Sequence, residues 1–203
     1  MQIALFGATG GTGRQVLAQA LEQGHTLTAL ARDPTTLDPR DGLTTIGGDV
    51  LDPKAVATCV VGAEAVICVL GSRGRQAPIE APGTARILAA MQEAGVRRLV
   101  VVSSLGVGDS RAQIAWPFRL VMDLMLKSIL EAKAQQEQLV KASGLDWVIV
   151  RPGGLTDGPR TRAYRFGVDP TLKSGRIART DVADFVLRQL TDDTFLHQTP
   201  AVT

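Results

Sequence analysis

The sequence predicts an α/β protein with a doubly wound, mainly parallel β-sheet. Three observations support this prediction: a glycine-rich turn follows the first apolar run, short β-branched runs alternate with amphipathic segments, and single glycines end most of those segments. The length of 203 residues fits one domain with a full-sized core. We therefore expect residues 1–203 to form a single domain.

The alternation of strand and helix patterns predicts the order of the elements. The predicted strands are Ile3–Phe6, Thr26–Leu30, Thr44–Ile46, Ala65–Leu70, Leu99–Ser103 and Trp147–Val150. The predicted helices are Gly11–Gln23, Pro53–Val60, Pro82–Ala94, Ala132–Ala142 and Asp181–Leu190. Asp52 precedes Pro53, which is the pattern of a helix N-cap followed by a first-turn proline. A helix between successive strands makes neighbouring strands parallel.

Composition and charge exclude several classes of protein. Hydrophobic residues make up 45% and charged residues 21% of the chain, which is typical of a soluble globular domain. The apolar runs are all shorter than the roughly 18 residues that a membrane-spanning helix needs. The first residues enter a buried-strand pattern directly, without a basic leader region, which predicts a cytoplasmic protein. The net charge of +2 does not favour nucleic-acid binding.

Two segments interrupt the alternation and are candidate caps over a substrate. The first segment lies near 109–128, and its part from Trp116 to Leu126, which includes Phe118, is apolar on nearly every side; this fits either core packing or a cap. Residues 157–179 contain more basic side chains than acidic ones, which are Asp157 and Asp169. This segment either forms a solvated surface or produces a positive potential that attracts an anionic substrate. Its basic residues are Arg160, Arg162, Arg165, Lys173, Arg176 and Arg179.

The glycine-rich turn predicts a dinucleotide site. It follows the first strand and opens the first helix, and it consists of Gly7, Ala8, Thr9, Gly10, Gly11, Thr12 and Gly13. Glycines allow a tight turn, a close approach of the backbone to a diphosphate, and close packing of the helix on the strand. The diphosphate would then bind the free amides at the helix N-terminus. This is the phosphate-binding turn of a Rossmann-type fold.

The residue after the second strand predicts which dinucleotide is bound. Sites for NAD place a carboxylate there, which binds the ribose 2′-hydroxyl. This chain has Arg32 instead, and Arg14 follows the glycine turn. Two guanidinium groups that converge on the 2′ position favour a 2′-phosphate, provided that the adjacent Asp33 points away. The predicted cofactor is NADPH.

Further candidate residues follow the third, fourth and fifth strands. The carboxyl ends of parallel strands form the ligand-binding edge of such a sheet. The candidates there are Gly48, Asp49 and Val50, then Leu70, Gly71, Ser72 and Arg73, and then Ser103 and Ser104. Asp49 alone fits a role at the start of a helix as well as it fits a cofactor contact.

Several catalytic mechanisms lack the residues they require. The two histidines, His25 and His197, lie in a turn and near the C-terminus, where neither is expected to serve a Ser-His-Asp triad or a metal site. Tyr164 is followed four residues later by Val168, so the Tyr-x-x-x-Lys pair of short-chain dehydrogenases is missing. Alcohol–ketone chemistry is therefore disfavoured. Cys59 and Cys68 lie in apolar stretches and are predicted to be core residues.

These residues together resemble the atypical short-chain dehydrogenases of the NmrA-like superfamily. The resemblance is closest to the NADPH-dependent flavin reductases, also called biliverdin-IXβ reductases. It rests on Gly7–Gly13, Ala31-Arg32-Asp33, Gly48-Asp49-Val50, Leu70-Gly71-Ser72-Arg73 and Ser143-Gly144-Leu145. It implies a monomer that transfers hydride from NADPH to FMN, FAD, riboflavin or biliverdin-type linear tetrapyrroles.

The resemblance also implies roles for individual residues. If the segment near 109–128 is a cap, Trp116 and Phe118 are expected to stack on the planar acceptor. The resemblance places Ser104 beside the nicotinamide and the substrate, and Lys133 near the nicotinamide ribose. It adds cofactor contacts at Pro152, Gly153 and Gly154 to those already named. Thr36, Lys133 and Gly154 replace an arginine and two histidines of the family pattern. A different hypothesis is an NADP(H)-binding sensor, regulator or assembly factor that catalyses nothing, which the lack of an acid residue fits equally.

Overall fold

The computed structural model describes residues 1–72, 77–114 and 127–203. Its strands are β1 (Gln2–Phe6), β2 (Thr26–Ala31), β3 (Leu43–Gly47), β4 (Ala65–Cys68), β5 (Arg98–Val102), β6 (Asp146–Pro152), β7 (Gly154–Thr156), β8 (Phe166–Gly167), β9 (Arg176–Ala178) and β10 (Ala201–Val202). Its helices are α1 (Gly11–Glu22), α2 (Pro53–Val60), α3 (Glu80–Ala94), α4 (Lys127–Lys141) and α5 (Arg179–Arg188).

The main sheet has eight strands in the order β3-β2-β1-β4-β5-β6-β10-β8. Its strands are parallel except for β8, which pairs antiparallel with β10. The order of the first six strands is that of a doubly wound Rossmann-type sheet, so the predicted fold class is confirmed. The strand order reverses between β1 and β4, and ligands bind such sheets in the crevice at this point.

Apolar side chains cover both faces of the sheet. Ile3 and Leu5 of β1 pack with α1 and α5, whereas Ala4 and Phe6 pack with α2, α3 and α4. Successive residues of a strand point to opposite faces, so a strand buried on both faces must be apolar throughout. Asp52 caps α2 as predicted, since its carboxylate accepts a hydrogen bond of 2.9 Å from the Lys54 amide.

Some boundaries differ from those expected. Helix α3 begins at Glu80, two residues before the predicted Pro82, because a proline in the first helical turn needs no intrahelical donor. Helix α4 already includes Lys127, five residues before the predicted start at Ala132. The two- and three-residue strands β7 to β10 were not predicted, because runs this short show no measurable periodicity.

The two candidate cap segments contact each other. Residues 108–113 form a 3-10 helix, whose Gln113 side chain donates hydrogen bonds of 3.1 and 2.9 Å to the carbonyls of Asp169 and Leu172. The predicted cap residues Trp116 and Phe118 lie outside the described residues. In the second segment, β8 joins the main sheet and β9 pairs with β7. Within the described ranges, no helix is long and apolar enough to cross a membrane.

Candidate active site

The glycine turn between β1 and α1 has room for backbone only. Gly7 has a φ of 89°, and a Cβ there would overlap the Val69 carbonyl. A Cβ on Gly13 would overlap the Gly7 carbonyl. These two glycines therefore keep the start of α1 packed against the ends of β1 and β4.

The N-terminus of α1 is suited to an anion. The first amides of a helix have no intrahelical partner and carry the positive end of its dipole. Among the described residues, none caps α1 through its side chain, and its first turn contains no acidic residue. The turn and these amides therefore fit the diphosphate of a dinucleotide.

A first cavity lies in front of this turn, along the carboxyl ends of β1, β2, β3 and β4. Its volume is about 220 Å³. Nine predicted cofactor residues line it: Gly7, Thr9, Gly10, Arg32, Asp49, Val50, Leu70, Gly71 and Ser72. Gly48, Ala77 and Ile79 also line it. Ala77 and Ile79 were not anticipated, because they precede α3 and their contact with the strand ends depends on the fold.

Ser72 is held in the wall of this cavity by the first residue of α3. Its amide and hydroxyl donate hydrogen bonds of 2.8 and 2.6 Å to the carboxylate of Glu80, which is fully buried. The Ile79 amide donates to the Ser72 hydroxyl at 3.0 Å. These bonds fix the loop that follows β4. The predicted cofactor residue Arg73 lies outside the described residues.

The two arginines predicted at the 2′-phosphate are placed differently. Arg32 is exposed and lines the first cavity. Arg14 donates hydrogen bonds to the carbonyls of Thr36, at 3.0 Å, and Thr9, at 3.3 Å, and it lines a separate cavity. Arg14 therefore joins the glycine turn to the segment that follows β2. The Asp33 carboxylate accepts hydrogen bonds from the amide and hydroxyl of Thr35, so it points to its own turn.

A second cavity lies along the ends of β5 and β6 and has a volume of about 780 Å³. Six predicted site residues line it: Ser103, Ser104, Lys133, Pro152, Gly153 and Gly154. The others are mainly apolar: Leu105, Ile114, Ile129, Leu130, Leu155, Ser174, Gly175 and Arg176. Ile114 and residues 174–176 belong to the two candidate cap segments, so both segments contribute to the wall.

Lys133 links the walls of the two cavities. Its ammonium donates hydrogen bonds of 3.2 and 3.1 Å to the carbonyls of Leu70 and Val102, at the ends of β4 and β5. Leu70 lines the first cavity and Lys133 the second. Burial lowers the pKa of Lys133, although nearby Glu80 and Glu137 act in the opposite direction.

The two predicted serines have different surroundings. The Ser103 hydroxyl donates a hydrogen bond of 2.7 Å to Glu137, which also forms a buried ion pair of 2.6 Å with Arg151. Ser103 therefore belongs to a buried polar network. Ser104 is half-buried, and its hydroxyl donates to the Leu105 carbonyl at 3.2 Å. The hydroxyl of Ser104 is the more accessible to a ligand.

The tyrosine and the two histidines lie away from both cavities. The Tyr164 hydroxyl donates to Asp184 at 2.8 Å, and burial together with this bond raises its pKa to about 12. Tyr164, His25 and His197 line neither cavity within the described ranges. Those ranges also contain no group of three or more His, Cys, Asp or Glu residues placed to hold a metal ion.

A family model described as NAD(P)H-binding matches residues 7–193. The chain belongs to this NAD(P)H-binding family. An uncharacterized chloroplastic protein of Arabidopsis thaliana is 32% identical over 201 residues, which cover 93% of this NAD(P)H-binding chain and 71% of the relative. The prediction that the chain binds a nicotinamide dinucleotide is therefore confirmed at the level of the family.

Solved structures share the whole fold of this NAD(P)H-binding protein. The anaerobillin reductase ChuY from Escherichia coli O157:H7 has a TM-score of 0.85 at 24% identity, with 100% of this chain and 96% of that chain covered. A short-chain dehydrogenase/reductase from Veillonella parvula, solved with NADP, has a TM-score of 0.81 at 20% identity, with coverages of 99% and 93%. At these levels of identity the two neighbours show the fold of this chain.

Proposed function

We propose that this protein is an NADPH-dependent reductase that transfers hydride to flavins or to biliverdin-type linear tetrapyrroles. The second cavity is the observation that carries the proposal. It has the volume and mainly apolar lining of a site for a planar organic molecule, and Lys133 in its wall donates a hydrogen bond to Leu70 in the wall of the first cavity. The name of the neighbour ChuY, an anaerobillin reductase, favours a tetrapyrrole as one such acceptor.

The residues of the first cavity would hold the cofactor, which supplies the hydride when it is bound. The turn amides would bind the diphosphate, and Arg32 would bind the 2′-phosphate. Lys133 would donate a hydrogen bond to the nicotinamide ribose while it keeps its contact with β4 or β5. Ser104 would orient the nicotinamide or the acceptor from the second cavity.

Reduction of the acceptor depends more on its position in the second cavity than on a side chain that donates a proton. A flavin or linear tetrapyrrole becomes more basic as it accepts hydride, so water can deliver the proton. Among the described lining residues, the titratable side chains of the second cavity are Lys133 and Arg176. The guanidinium group of Arg176 would form two charge-assisted hydrogen bonds with the phosphate of FMN or the propionate of a tetrapyrrole. The protein's main contribution would be to orient the two molecules and exclude bulk water.

The decisive test is steady NADPH oxidation on addition of FMN, riboflavin or a linear tetrapyrrole. We expect turnover with at least one of these acceptors. Arg176→Ala should raise KM for FMN more than KM for riboflavin, which lacks the phosphate, and Arg165→Ala in the same basic segment is the matched control. NADPH binding without oxidation by any of the acceptors would contradict the reductase and favour the non-catalytic sensor or regulator.

A further inference from the structure

Arg179, the first residue of α5, lies directly against the glycine turn. A Cβ on Gly11 would be 2.8 Å from Nε and 2.9 Å from Cδ of Arg179. The guanidinium side chain therefore occupies the space that any other residue at position 11 would need. Gly11 is the first residue of α1, so Arg179 lies beside the amides that are suited to a diphosphate.

A cation in this position is unfavourable without a nearby anion. The N-terminus of α1 carries the positive end of the helix dipole, and its first turn contains no acidic residue. The charge is balanced by Asp157, whose carboxylate accepts a hydrogen bond of 2.7 Å from Nη1 of Arg179. Asp157 is 92% exposed, whereas Arg179 is 27% exposed. Water can therefore solvate Asp157 fully when the guanidinium binds another anion.

The segment that carries Asp157 is attached to the start of α5. The Thr180 hydroxyl donates a hydrogen bond of 2.8 Å to the Gly158 carbonyl. The Asp181 carboxylate accepts hydrogen bonds of 2.7 and 2.8 Å from the amides of Thr161 and Arg162. These bonds keep the backbone on both sides of the Asp157–Arg179 ion pair in place, so a change of partner requires only side-chain rotation.

We propose that Arg179 is a diphosphate-binding residue of the NAD(P)H site, kept over the glycine turn by Asp157. A diphosphate oxygen takes the place of Asp157 as the partner of the guanidinium, which supplies a charge-assisted hydrogen bond. Gly11 is needed because a side chain there would push the guanidinium away. Because NADPH and NADH share the diphosphate, Arg179 contributes equally to the binding of both. Arg32, in contrast, is expected to distinguish between them.

The test is calorimetric titration of Arg179→Met with NADPH and with NADH. We expect both affinities to fall by about ten- to a hundredfold, by the same factor for each cofactor. Arg160→Met is the matched control, because Arg160 is also 27% exposed and pairs with Glu22 at the opposite end of α1. A loss no larger than that of Arg160→Met, or a loss confined to NADPH, would overturn the proposal.

A second variant keeps the test independent of the stability of Arg179→Met. Gly11→Ala retains Arg179 and displaces its guanidinium from the turn. We expect Gly11→Ala to weaken the binding of both cofactors. In the double variant with Arg179→Met, Gly11→Ala should cause little further loss of affinity. Unchanged affinities in Gly11→Ala, or full additivity in the double variant, would show that Arg179 does not act on the diphosphate through this position.

Discussion

Cofactor preference is expected to depend on Arg32, which is exposed on the wall of the first cavity. Arg32→Asp should weaken NADPH binding by about ten- to a hundredfold and change NADH binding little, because one charge-assisted contact to the 2′-phosphate is lost. Titration with both cofactors measures the effect. Arg40→Asp is the control, since Arg40 is an exposed arginine that lines the separate cavity beside Arg14. Equal affinity of the unaltered protein for NADPH and NADH would contradict the assignment.

Ser104 is expected to orient its ligands without transferring a proton. Ser104→Ala should lower the rate of flavin reduction at saturating NADPH by about five- to tenfold, the cost of one neutral hydrogen bond of about 1 kcal/mol. The loss should be similar across pH 6 to 9. Ser174→Ala is the matched control, because Ser174 is another serine that lines the same cavity. A loss beyond about a thousandfold would identify Ser104 as a proton donor and refute the orienting role.

The cysteines behave as the sequence predicts. Both are free and buried, and burial raises the pKa of Cys59 to about 12 and that of Cys68 also above its ordinary value. The thiolate, which is the reactive form, is therefore disfavoured at neutral pH. Their apolar flanking residues were sufficient to predict this, because burial in a strand or helix follows from the local pattern.

At the scale of the element, α4 joins the second cavity to a buried ionic network. Lys133 and Glu137 are one turn apart on this helix. The Glu137 carboxylate accepts hydrogen bonds from Ser103, at 2.7 Å, and from two nitrogens of Arg151, at 3.0 and 2.6 Å. The network therefore connects α4 to the ends of β5 and β6, which form the cavity wall.

Glu137→Gln should destabilise the protein by about 3–5 kcal/mol, because it leaves the buried Arg151 guanidinium without its main counter-charge. Urea unfolding measures the change. Asp109→Asn is the matched control, since Asp109 contacts the same guanidinium at 2.8 Å but is 79% exposed, and it should cost much less. Similar losses in the two variants would show that burial does not determine the contribution of this network.

The ion pair between Asp109 and Arg151 predicts that the stability of the fold depends on pH. The hydrogen bond from Arg151 lowers the pKa of Asp109 in the folded protein. A carboxylate with a lowered pKa stabilises the fold above its unfolded pKa of about 3.9, and this contribution is lost as the pH falls through the folded value. The free energy of unfolding of Asp109→Asn should therefore approach that of the unaltered protein below about pH 4. A constant difference from pH 7 to pH 3 would contradict this.

At the scale of the whole molecule, cofactor binding should stabilise the fold, because the first cavity combines the ends of β1 to β4 and requires the folded sheet. At a hundredfold excess over Kd, a ligand of the native state adds about 2.7 kcal/mol, which raises Tm by about 5–10 °C in a chain of this size. Thermal unfolding with NADPH and with NADH at equal concentration measures the effect. We expect the larger shift with NADPH, and equal shifts would contradict the predicted preference.

The oligomeric state is also a property of the whole chain. The resemblance to flavin reductases predicts a monomer. Light scattering at micromolar concentration should therefore give the mass of a single chain, with or without NADPH. A dimer that persists on dilution would contradict this prediction.

The sequence by itself determined the fold class and the position of the dinucleotide turn. Both depend on patterns that are local in the chain: glycines at fixed spacing between the first strand and helix, and apolar runs that alternate with amphipathic segments. The residues after β2, β3 and β4 could be predicted for the same reason. Parallel strands bring their carboxyl ends to one edge of the sheet, whatever the details of packing.

The tertiary structure alone decided which of these residues meet. It bound Arg14 to the carbonyls of Thr9 and Thr36, placed Ser103 in a buried network, and brought Arg179 against Gly11. It also formed the second cavity from β5, β6, α4 and residues 174–176. These contacts join residues far apart in the chain, and their geometry depends on side-chain packing and ion pairing. Neither is encoded in the spacing of residues along the sequence.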